Sequence, residues 1–184
     1  MAGRLIYLIG PSGSGKDSLL DAAREPLAER GGRVARRVIT RSAEAAGEAA
    51  QAVSAEQFAT MQAQGAFAMS WQANGLCYGI PRLVDDWLAA GADVLVNGSR
   101  AYLPQARARY PDLQVILLTV DPAVLRERLL VRGRETLPQI EERLARNAEF
   151  TTSMLAADDP SLSLLDNSGP LRKSLEKLFR LIGK

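Results

Sequence analysis

The stretch that decides the fold begins with Leu5-Ile6-Tyr7-Leu8-Ile9 and continues as Gly10-Pro11-Ser12-Gly13-Ser14-Gly15-Lys16-Asp17-Ser18. Its first five residues form a continuous apolar run, which is typical of a buried strand. One helix face follows, carrying Leu19, Leu20, Ala23 and Leu27. A glycine-rich turn between a strand and a helix N-terminus is the arrangement of a phosphate-binding P-loop. The sequence therefore predicts that residues 10–18 bind phosphate groups.

Each part of this P-loop suits an anionic ligand. The glycines let successive backbone N–H groups turn toward an anion, and the helix N-terminus adds unpaired N–H groups and the positive end of its dipole. The ammonium group of Lys16 supplies a point charge for the outer phosphates. We therefore expect residues 10–18 to bind the phosphate groups of a ligand, with Lys16 as a candidate catalytic residue.

Asp17 departs from the usual P-loop pattern, in which Ser or Thr follows the lysine and its hydroxyl binds Mg²⁺. A carboxylate is a good ligand for a hard cation, so we predict a Mg²⁺ site at Asp17 or at Ser18, the hydroxyl one position later. The alternative is that Asp17 is an ordinary acidic residue in the first turn of a helix, where the dipole favours it. The sequence leaves both interpretations open.

The composition narrows the classes of protein to which the chain can belong. Its 184 residues predict one domain, and its net charge of +2 does not favour a nucleic-acid or membrane partner. No apolar run reaches the length of about 18 residues that a membrane span needs, and the N-terminus leads into the first strand without a signal peptide. The single cysteine, Cys77, rules out an intramolecular disulfide. We expect a cytoplasmic protein, with a homodimer left open.

The sequence contains no histidine. This absence excludes Ser-His-Asp triads, Cys-His dyads and HExxH zinc sites. Phosphoryl transfer remains available, because it depends mainly on positioning and on charge neutralisation by Lys, Arg and Mg²⁺.

Strands and helices alternate along the rest of the chain. The further predicted strands cover residues 33–39, 66–71, 76–80, 93–97, 113–120 and 162–165. One predicted helix begins after the N-cap Ser54, and further predicted helices cover residues 81–90, 102–110, 122–131, 137–148 and 171–182. Residues 44–52 are interpreted as a loop. This alternation predicts an α/β fold, with a parallel sheet flanked by helices on both faces. The P-loop is expected at the carboxyl edge of that sheet, where ligands bind in such folds.

A first group of candidate site residues lies between about residues 37 and 80. Arg41 follows the second predicted strand, so its side chain is expected at the same sheet edge as the P-loop, in a position to bind an acceptor phosphate. The predicted hairpin, with its turn at Asn74-Gly75, carries Trp71 and Tyr78 and would cover that acceptor. The alternatives are a surface arginine at position 41 and a packing role for the two aromatic residues.

A second group is the arginine-rich segment of about residues 126–146. Arg132-Gly133-Arg134 lies between two predicted helices and, with Arg143, is typical of a lid whose arginines close over a transferring phosphoryl group. The alternative is a solvated helix face on which arginines pair with glutamates. The other charged residues here are Arg126, Arg128, Arg146, Glu127, Glu135, Glu141 and Glu142.

Together these motifs resemble the guanylate kinase group of P-loop kinases. The resemblance rests on the P-loop, the pair Thr40-Arg41, the turn Tyr78-Gly79 and the segment Arg132-Gly133-Arg134-Glu135. It implies a P-loop kinase fold in one domain over residues 1–184, with a small acceptor-binding insert and an arginine lid. Met69 departs from the group, because it stands where guanylate kinases have a base-binding glutamate. A thioether does not replace a carboxylate as the acceptor for guanine N–H groups.

Within this group the sequence is similar to the ribose 1,5-bisphosphate phosphokinases of bacterial phosphonate metabolism. The similar segments are residues 10–20 (including Asp17), 39–41, 70–75, 78–79 and 94–107. The resemblance implies ATP-dependent phosphorylation of a small phosphorylated ribose, ribose 1,5-bisphosphate, to 5-phosphoribosyl 1-diphosphate (PRPP). Such an acceptor has two phosphates, for which Arg41 and Arg100 are suitable, and ribose hydroxyls, for which Asn97 and Ser99 are suitable. Tyr78 is expected beside them.

Three other functions remain as alternatives. Guanylate kinase or another nucleoside monophosphate kinase is the nearest, and Met69 argues against it. A non-catalytic binding module of guanylate-kinase type would lose the P-loop lysine or glycines, which this chain keeps. A GTP-driven switch would need a guanine-reading Asn-Lys-x-Asp run, which the sequence lacks.

Overall fold

The structure is a computed structural model that describes residues 1–41 and 50–183. This part of the chain contains nine strands and seven helices. The strands are β1 (Leu5–Ile9), β2 (Arg33–Val34), β3 (Val38–Ile39), β4 (Gln51–Ala52), β5 (Phe67–Ala73), β6 (Leu76–Pro81), β7 (Val94–Asn97), β8 (Gln114–Thr119) and β9 (Leu162–Asp166). The helices are α1 (Lys16–Glu29), α2 (Ala55–Ala63), α3 (Leu83–Ala89), α4 (Leu103–Arg109), α5 (Pro122–Arg132), α6 (Leu137–Ala156) and α7 (Leu171–Ile182).

The main sheet has five parallel strands in the order β2-β7-β1-β8-β9. β1 is its central strand, as the apolar run predicts, and all five of its residues are buried. Leu8 pairs with Asn97 at the end of β7, and Ile9 pairs with Leu117 of β8. The loops that follow these strands therefore meet at one edge of the sheet.

Helices cover both faces of the main sheet, which confirms the predicted α/β class. Successive strand residues point to opposite faces. Leu5, Tyr7 and Ile9 accordingly pack in one cluster with residues of α3, α4 and α6, whereas Ile6 and Leu8 pack with α1 and α7. The two clusters hold the helices at fixed positions relative to the strands.

A second, smaller sheet has the strand order β4-β3-β6-β5. β5 and β6 form the predicted hairpin, with Trp71 opposite Tyr78. Its two-residue turn has φ of 52° at Asn74 and 75° at Gly75. Two left-handed residues are what a tight hairpin turn needs, and Asn-Gly supplies them at the lowest steric cost.

Three local predictions differ from the structure. The strand predicted over residues 33–39 is two strands, because β2 pairs with β7 in the main sheet and β3 pairs with β6 in the second. Pro81, predicted in the first turn of a helix, is instead the last residue of β6, opposite Phe67, and α3 begins at Leu83. Of the loop predicted over residues 44–52, residues 44–49 lie outside the described residues, and Gln51–Ala52 forms β4 against β3.

The arginine-rich segment is a pair of helices with a small core of its own. α5 and α6 pack through Leu125, Leu129, Ile140 and Leu144. Thr136 begins α6 with a capping box, accepting from the N–H of Gln139 while the Gln139 side chain accepts from the N–H of Thr136. None of the described helices is both long enough and apolar enough to cross a membrane.

Replacing Ile116 by alanine tests the central position of β8. Ile116 is fully buried, so Ile116→Ala is expected to lower the free energy of unfolding by about 2–5 kcal/mol, measured by urea denaturation. Leu164→Ala is the matched control, because Leu164 of the edge strand β9 is 51% exposed. A loss from the control as large as that from Ile116→Ala would contradict this description of the core.

Candidate active site

The P-loop connects the end of β1 to the start of α1. Its backbone is left-handed at Gly13 (φ 83°) and at Gly15 (φ 91°), the N-cap of α1. Within the loop, the N–H of Ser14 donates to the carbonyl of Pro11 at 3.1 Å. A side chain at Gly15 would clash, because its Cβ would lie 2.5 Å from Nδ2 of Asn167. The loop thus has the conformation in which backbone N–H groups converge on an anion.

Asn167, in the loop after β9, is hydrogen-bonded to the backbone of the P-loop. Its Nδ2 donates to the carbonyl of Ser14 at 2.8 Å, and its Oδ1 accepts from Oγ of Ser174 at 2.5 Å. All three residues are buried. From the sequence, Asn167 fits either an ordinary turn or the border of an adenine site, and its bond to the P-loop backbone is visible only in the structure.

Asp17 contacts the end of the neighbouring strand β7. Nδ2 of Asn97 donates to Oδ1 of Asp17 at 3.2 Å. Asn97 is buried, and its Oδ1 has no hydrogen-bond partner among the described residues. Ser18, the second predicted metal ligand, is exposed on α1.

This donor set fits Mg²⁺ held mainly by phosphates. Among the described residues there is no group of three acidic, cysteine or histidine side chains that could hold a metal ion by itself. Mg²⁺ bound to a nucleotide needs only one or two carboxylates, because phosphates and waters supply the other ligands. Asp17, with the unpaired amide oxygen of Asn97 beside it, meets that need.

A cleft of about 520 Å³ opens beside the P-loop at the carboxyl edge of the main sheet. Five of the predicted site residues line it, namely Gly10, Lys16, Tyr78, Ser99 and Arg100. The cleft is also lined by Trp71 and Asn74 from the hairpin. Two further lining residues, Arg37 and Phe150, were not among the predicted site residues. The structure therefore brings the P-loop lysine, two arginines and an aromatic wall to one cavity.

Both arginines of this cleft lie over aromatic rings. The guanidinium carbon of Arg37 is 4.8 Å from the ring centre of Tyr78, and that of Arg100 is 5.1 Å from the ring centre of Phe150. Arg100 also donates to Oγ of Ser153 at 2.5 Å. Cation–π contacts at these distances restrain the position of a guanidinium group.

The hairpin aromatics form a stacked wall. Trp71 stacks on Tyr78 with ring centres 5.7 Å apart, and on Tyr102 with ring centres 5.3 Å apart. Trp71 therefore packs within the wall, and it also lines the cleft.

Ser99 is fixed by a buried tyrosine of β1. The Tyr7 hydroxyl donates to the carbonyl of Ser99 at 2.7 Å and accepts from its N–H at 2.9 Å. Burial raises the pKa of Tyr7 well above its usual range, so the phenol stays neutral. Gly98 is required beside it, because a Cβ there would lie 2.3 Å from the Tyr7 ring.

Arg41 lies apart from the cleft. It lines a second cavity, also of about 520 Å³, together with Thr40, Gly75 and residues 52–55. Oγ1 of Thr40 accepts from the N–H of Cys77 at 2.8 Å, which ties this loop to β6. Arg41 is thus not among the residues that line the cleft of Lys16. The arginine near β3 that lines this cleft is Arg37.

Arg143 reaches the P-loop from α6. It donates through Nη1 to Oγ of Ser12 and through Nε to Oε2 of Glu135 at 3.0 Å. Asn147, one turn later on α6, donates to the carbonyl of Ser12 at 2.9 Å. The hydrogen bond from Arg143 holds the pKa of Glu135 below its usual range, so this carboxylate is ionised at neutral pH. Arg143 is thus the predicted lid arginine that the structure places against the P-loop.

The other lid arginines differ in their surroundings. Arg132 pairs with Glu135 at 3.0 Å, while Arg134 is exposed and makes no ion pair with the described residues. Further along, Arg126 pairs with Glu141 at 2.8 Å and Arg146 with Glu142 at 3.1 Å. Arg126 and Arg146 therefore match the alternative prediction of a solvated helix face on which arginines pair with glutamates.

Comparison with known proteins gives consistent matches along the full chain. A ribose 1,5-bisphosphate phosphokinase PhnN from Pseudomonas fluorescens (strain SBW25) is 74% identical over 97% of this chain and 94% of its own length. Proteins of the same name from Pseudomonas paraeruginosa (strain PA7) and Azotobacter vinelandii (strain DJ) are 64% and 59% identical, each over 100% of this chain and 97% and 98% of their own lengths. The chain belongs to the ribose 1,5-bisphosphate phosphokinase family.

Two other comparisons bear on the fold. The crystal structure of guanylate kinase from Anaplasma phagocytophilum superposes on this phosphokinase with a TM-score of 0.68, at 17% identity, over 99% of this chain and 85% of that chain. This likeness confirms the guanylate-kinase-like fold that the motifs predict. No family model matches the chain.

Met69 of this phosphokinase is a core residue. It is 1% exposed and belongs to the cluster that contains Tyr7 and Ile80. At this position the chain therefore presents no polar group to a nucleobase. Ile80, fully buried in the same cluster, presents none either.

Replacing Asn167 by alanine tests the support of the P-loop. Asn167→Ala leaves the buried Ser14 carbonyl without its donor, so we expect a loss of about 1–3 kcal/mol in the free energy of unfolding together with weaker ADP binding. Thermal unfolding and calorimetric titration with ADP measure the two effects. Ser174→Ala is the control, because it removes only the hydrogen bond behind Asn167. Unchanged ADP binding by a folded Asn167→Ala variant would contradict this role.

Proposed function

We propose that this chain transfers the γ-phosphoryl group of ATP to the 1-phosphate of ribose 1,5-bisphosphate, giving PRPP and ADP. The observation that carries the proposal is the single cleft on which the P-loop lysine, Lys16, meets two restrained arginines, Arg37 and Arg100. The identity of the acceptor is supported by relatives up to 74% identical that are named ribose 1,5-bisphosphate phosphokinases. The described residues that line this cleft include two arginines and no carboxylate, which suits an acceptor with two phosphate groups.

The donor half of the site consists of the P-loop and the lid. Backbone N–H groups of residues 10–18 and the ammonium of Lys16 bind the ATP phosphates. Arg143, already hydrogen-bonded to Ser12, neutralises charge on the transferring group, and Arg132 and Arg134 complete the lid when it closes. Asp17, with Ser18 as the second candidate, would hold Mg²⁺, which would supply positive charge to the phosphates of ATP.

The acceptor half consists of Arg37, Arg100, Tyr78 and Ser99. The positive charges of the two guanidinium groups attract the two phosphate groups of the bisphosphate. Ser99, fixed by Tyr7, presents its hydroxyl to the ribose. Arg41 is assigned to the outer wall of the acceptor region, beyond the cleft. Asn97 is buried against Asp17, so we place it with the metal rather than with the ribose.

The reaction needs no general base on the protein. The nucleophile is an oxygen of the acceptor's 1-phosphate, whose second pKa of about 6 leaves it ionised at neutral pH. That oxygen forms the new bond to the γ-phosphorus as the bond from phosphorus to the β-phosphate oxygen breaks, and ADP leaves with the electron pair. The absence of histidine from the chain is consistent with such chemistry.

The setting of this activity is also a proposal. We propose that the enzyme acts in the cytoplasm, in PRPP formation during phosphonate catabolism. Its partner is then a small phosphorylated ribose, with no nucleic-acid or membrane partner, and a homodimer remains open. The division into an acceptor region of about residues 37–80 and a lid of about residues 126–146, within one domain over residues 1–184, belongs to the same proposal.

A side-by-side kinase assay tests the proposed function. With ATP and Mg²⁺, ribose 1,5-bisphosphate is expected to give a diphosphate signal by phosphorus NMR, and GMP is expected to give little GDP. Lys16→Ala is expected to abolish the ribose reaction, because it removes the cation on the outer phosphates. GDP as the main product would identify a nucleotide kinase instead, and full activity of Lys16→Ala would contradict the mechanism.

Arginine replacements test the acceptor half. Arg37→Ala and Arg100→Ala are each expected to raise the KM for ribose 1,5-bisphosphate by about 10- to 100-fold, since each removes a charge-assisted hydrogen bond to phosphate. The affinity for ADP, measured by calorimetry, is expected to stay within about threefold of the parent value. Arg172→Ala, at an exposed position on α7, is the control. An unchanged KM in both cleft variants would show that the acceptor binds elsewhere.

A further inference from the structure

The contact between Asp17 and Asn97 contains a buried atom without a partner. Nδ2 of Asn97 donates to Oδ1 of Asp17 at 3.2 Å, which joins the first turn of α1 to the end of β7. Asn97 is 3% exposed, and its Oδ1 accepts no hydrogen bond from the described part of the chain. Leaving a buried acceptor unpaired costs free energy. An unpaired amide oxygen next to the P-loop carboxylate therefore points to a ligand that the pair binds.

The charged and the neutral side chain at this contact have exchanged places relative to common P-loop enzymes. In P-loop enzymes of the common kind, a neutral hydroxyl follows the lysine and a separate aspartate supplies the carboxylate, and the two hold Mg²⁺ together. Here the carboxylate follows the lysine, at Asp17, and a neutral amide, Asn97, stands at the end of β7. β7 pairs directly with β1, the strand that leads into the P-loop. Both arrangements place one negative charge at the metal.

We propose that Asp17 and Asn97 form one metal-binding pair in which the single negative charge has moved from the neighbouring strand to the P-loop. Asn97 is the positioning residue of this pair. Its Nδ2 orients the Asp17 carboxylate, and its Oδ1 is available to the cation or to a water on the cation. This inference rests on the proposed use of Mg²⁺ with a nucleotide, and it assigns Asn97 to the metal rather than to the acceptor.

One charge is the number that the site requires. A second carboxylate at position 97 would lie against Asp17 and would add repulsion toward the nucleotide phosphates. With no carboxylate at either position, the cation would depend on phosphates and waters alone. Exchanging the two side chains should therefore weaken Mg²⁺-dependent ADP binding less than replacing either one alone.

An isosteric exchange tests this inference. Asp17→Asn removes the charge, Asn97→Asp doubles it, and the double variant Asp17→Asn/Asn97→Asp exchanges the two groups with almost no change in shape. Calorimetric titration with ADP, with Mg²⁺ and then with EDTA, measures metal-dependent binding without any acceptor. Asp86→Asn, which removes an exposed carboxylate on α3, is the matched control for net charge.

We expect each single change to weaken Mg²⁺-dependent ADP binding by about 10- to 100-fold, as is usual when the groups around a metal ligand are altered. The double variant is expected to recover to within about threefold of the parent. In EDTA, Asp17→Asn should bind ADP at least as tightly as the parent, because it removes a negative charge near the phosphates. A purely structural defect would weaken binding under both conditions.

The outcomes separate this inference from the proposed function. If the parent binds ADP with Mg²⁺ but the folded double variant binds no better than Asp17→Asn, the paired-charge inference is overturned and the proposed function stands. An Asn97→Asp variant that matches the parent overturns it as well. If the parent itself shows no Mg²⁺-dependent ADP binding, the donor half of the proposed function fails and the inference fails with it.

Discussion

The position of β1 between two parallel neighbours is the constraint on which the rest of the site depends. Because β7, β1 and β8 run in the same direction, their carboxyl ends deliver Asn97, the P-loop and Thr119 to one edge. β9 extends this edge, where the N–H of Asn167 donates to the carbonyl of Thr119 at 2.7 Å. Asn167 then bonds to Ser14 of the P-loop. A change in the register of any of these strand pairs would therefore displace one of the loops that meet at this edge.

Charge is the second constraint, because anionic ligands must be held close together. The site meets it with cations whose positions are restrained before any ligand binds. Arg37 lies over Tyr78, Arg100 lies over Phe150, and Arg143 is held by Glu135 and Ser12. A restrained guanidinium loses little conformational freedom on binding. The aromatic rings also cover one face of Arg37 and of Arg100, which strengthens the attraction of these cations for phosphate.

Local signals in the sequence were sufficient for most of the fold. The apolar run before the P-loop, the Asn74-Gly75 turn and the cap at Ser54 each determine the backbone within a few residues, and the structure has all three. The division of residues 33–39 between two sheets depends instead on pairing with β7 and β6, which are distant in sequence. The sequence did not identify Arg37 as a cleft residue or Asn167 as a support of the P-loop, because both contacts also depend on residues distant in sequence. Arg37 has arginine neighbours at positions 33, 36 and 41, and only the tertiary fold shows which of them reaches the cleft.

The separation between the main sheet and the second sheet explains how one fold can serve different acceptors. The donor residues belong to the loops of the main sheet, whereas Trp71, Tyr78 and the buried Met69 belong to the hairpin of the second sheet. A polar side chain at Met69 would need a partner inside an apolar cluster, so this chain has a strong physical reason to keep a nonpolar residue there. In the proposed function, Met69 and Ile80 offer no polar group to a base, so recognition falls to the phosphate groups and therefore to arginines. An acceptor that carries phosphate at both ends and no base is the class of ligand that such a cleft can distinguish.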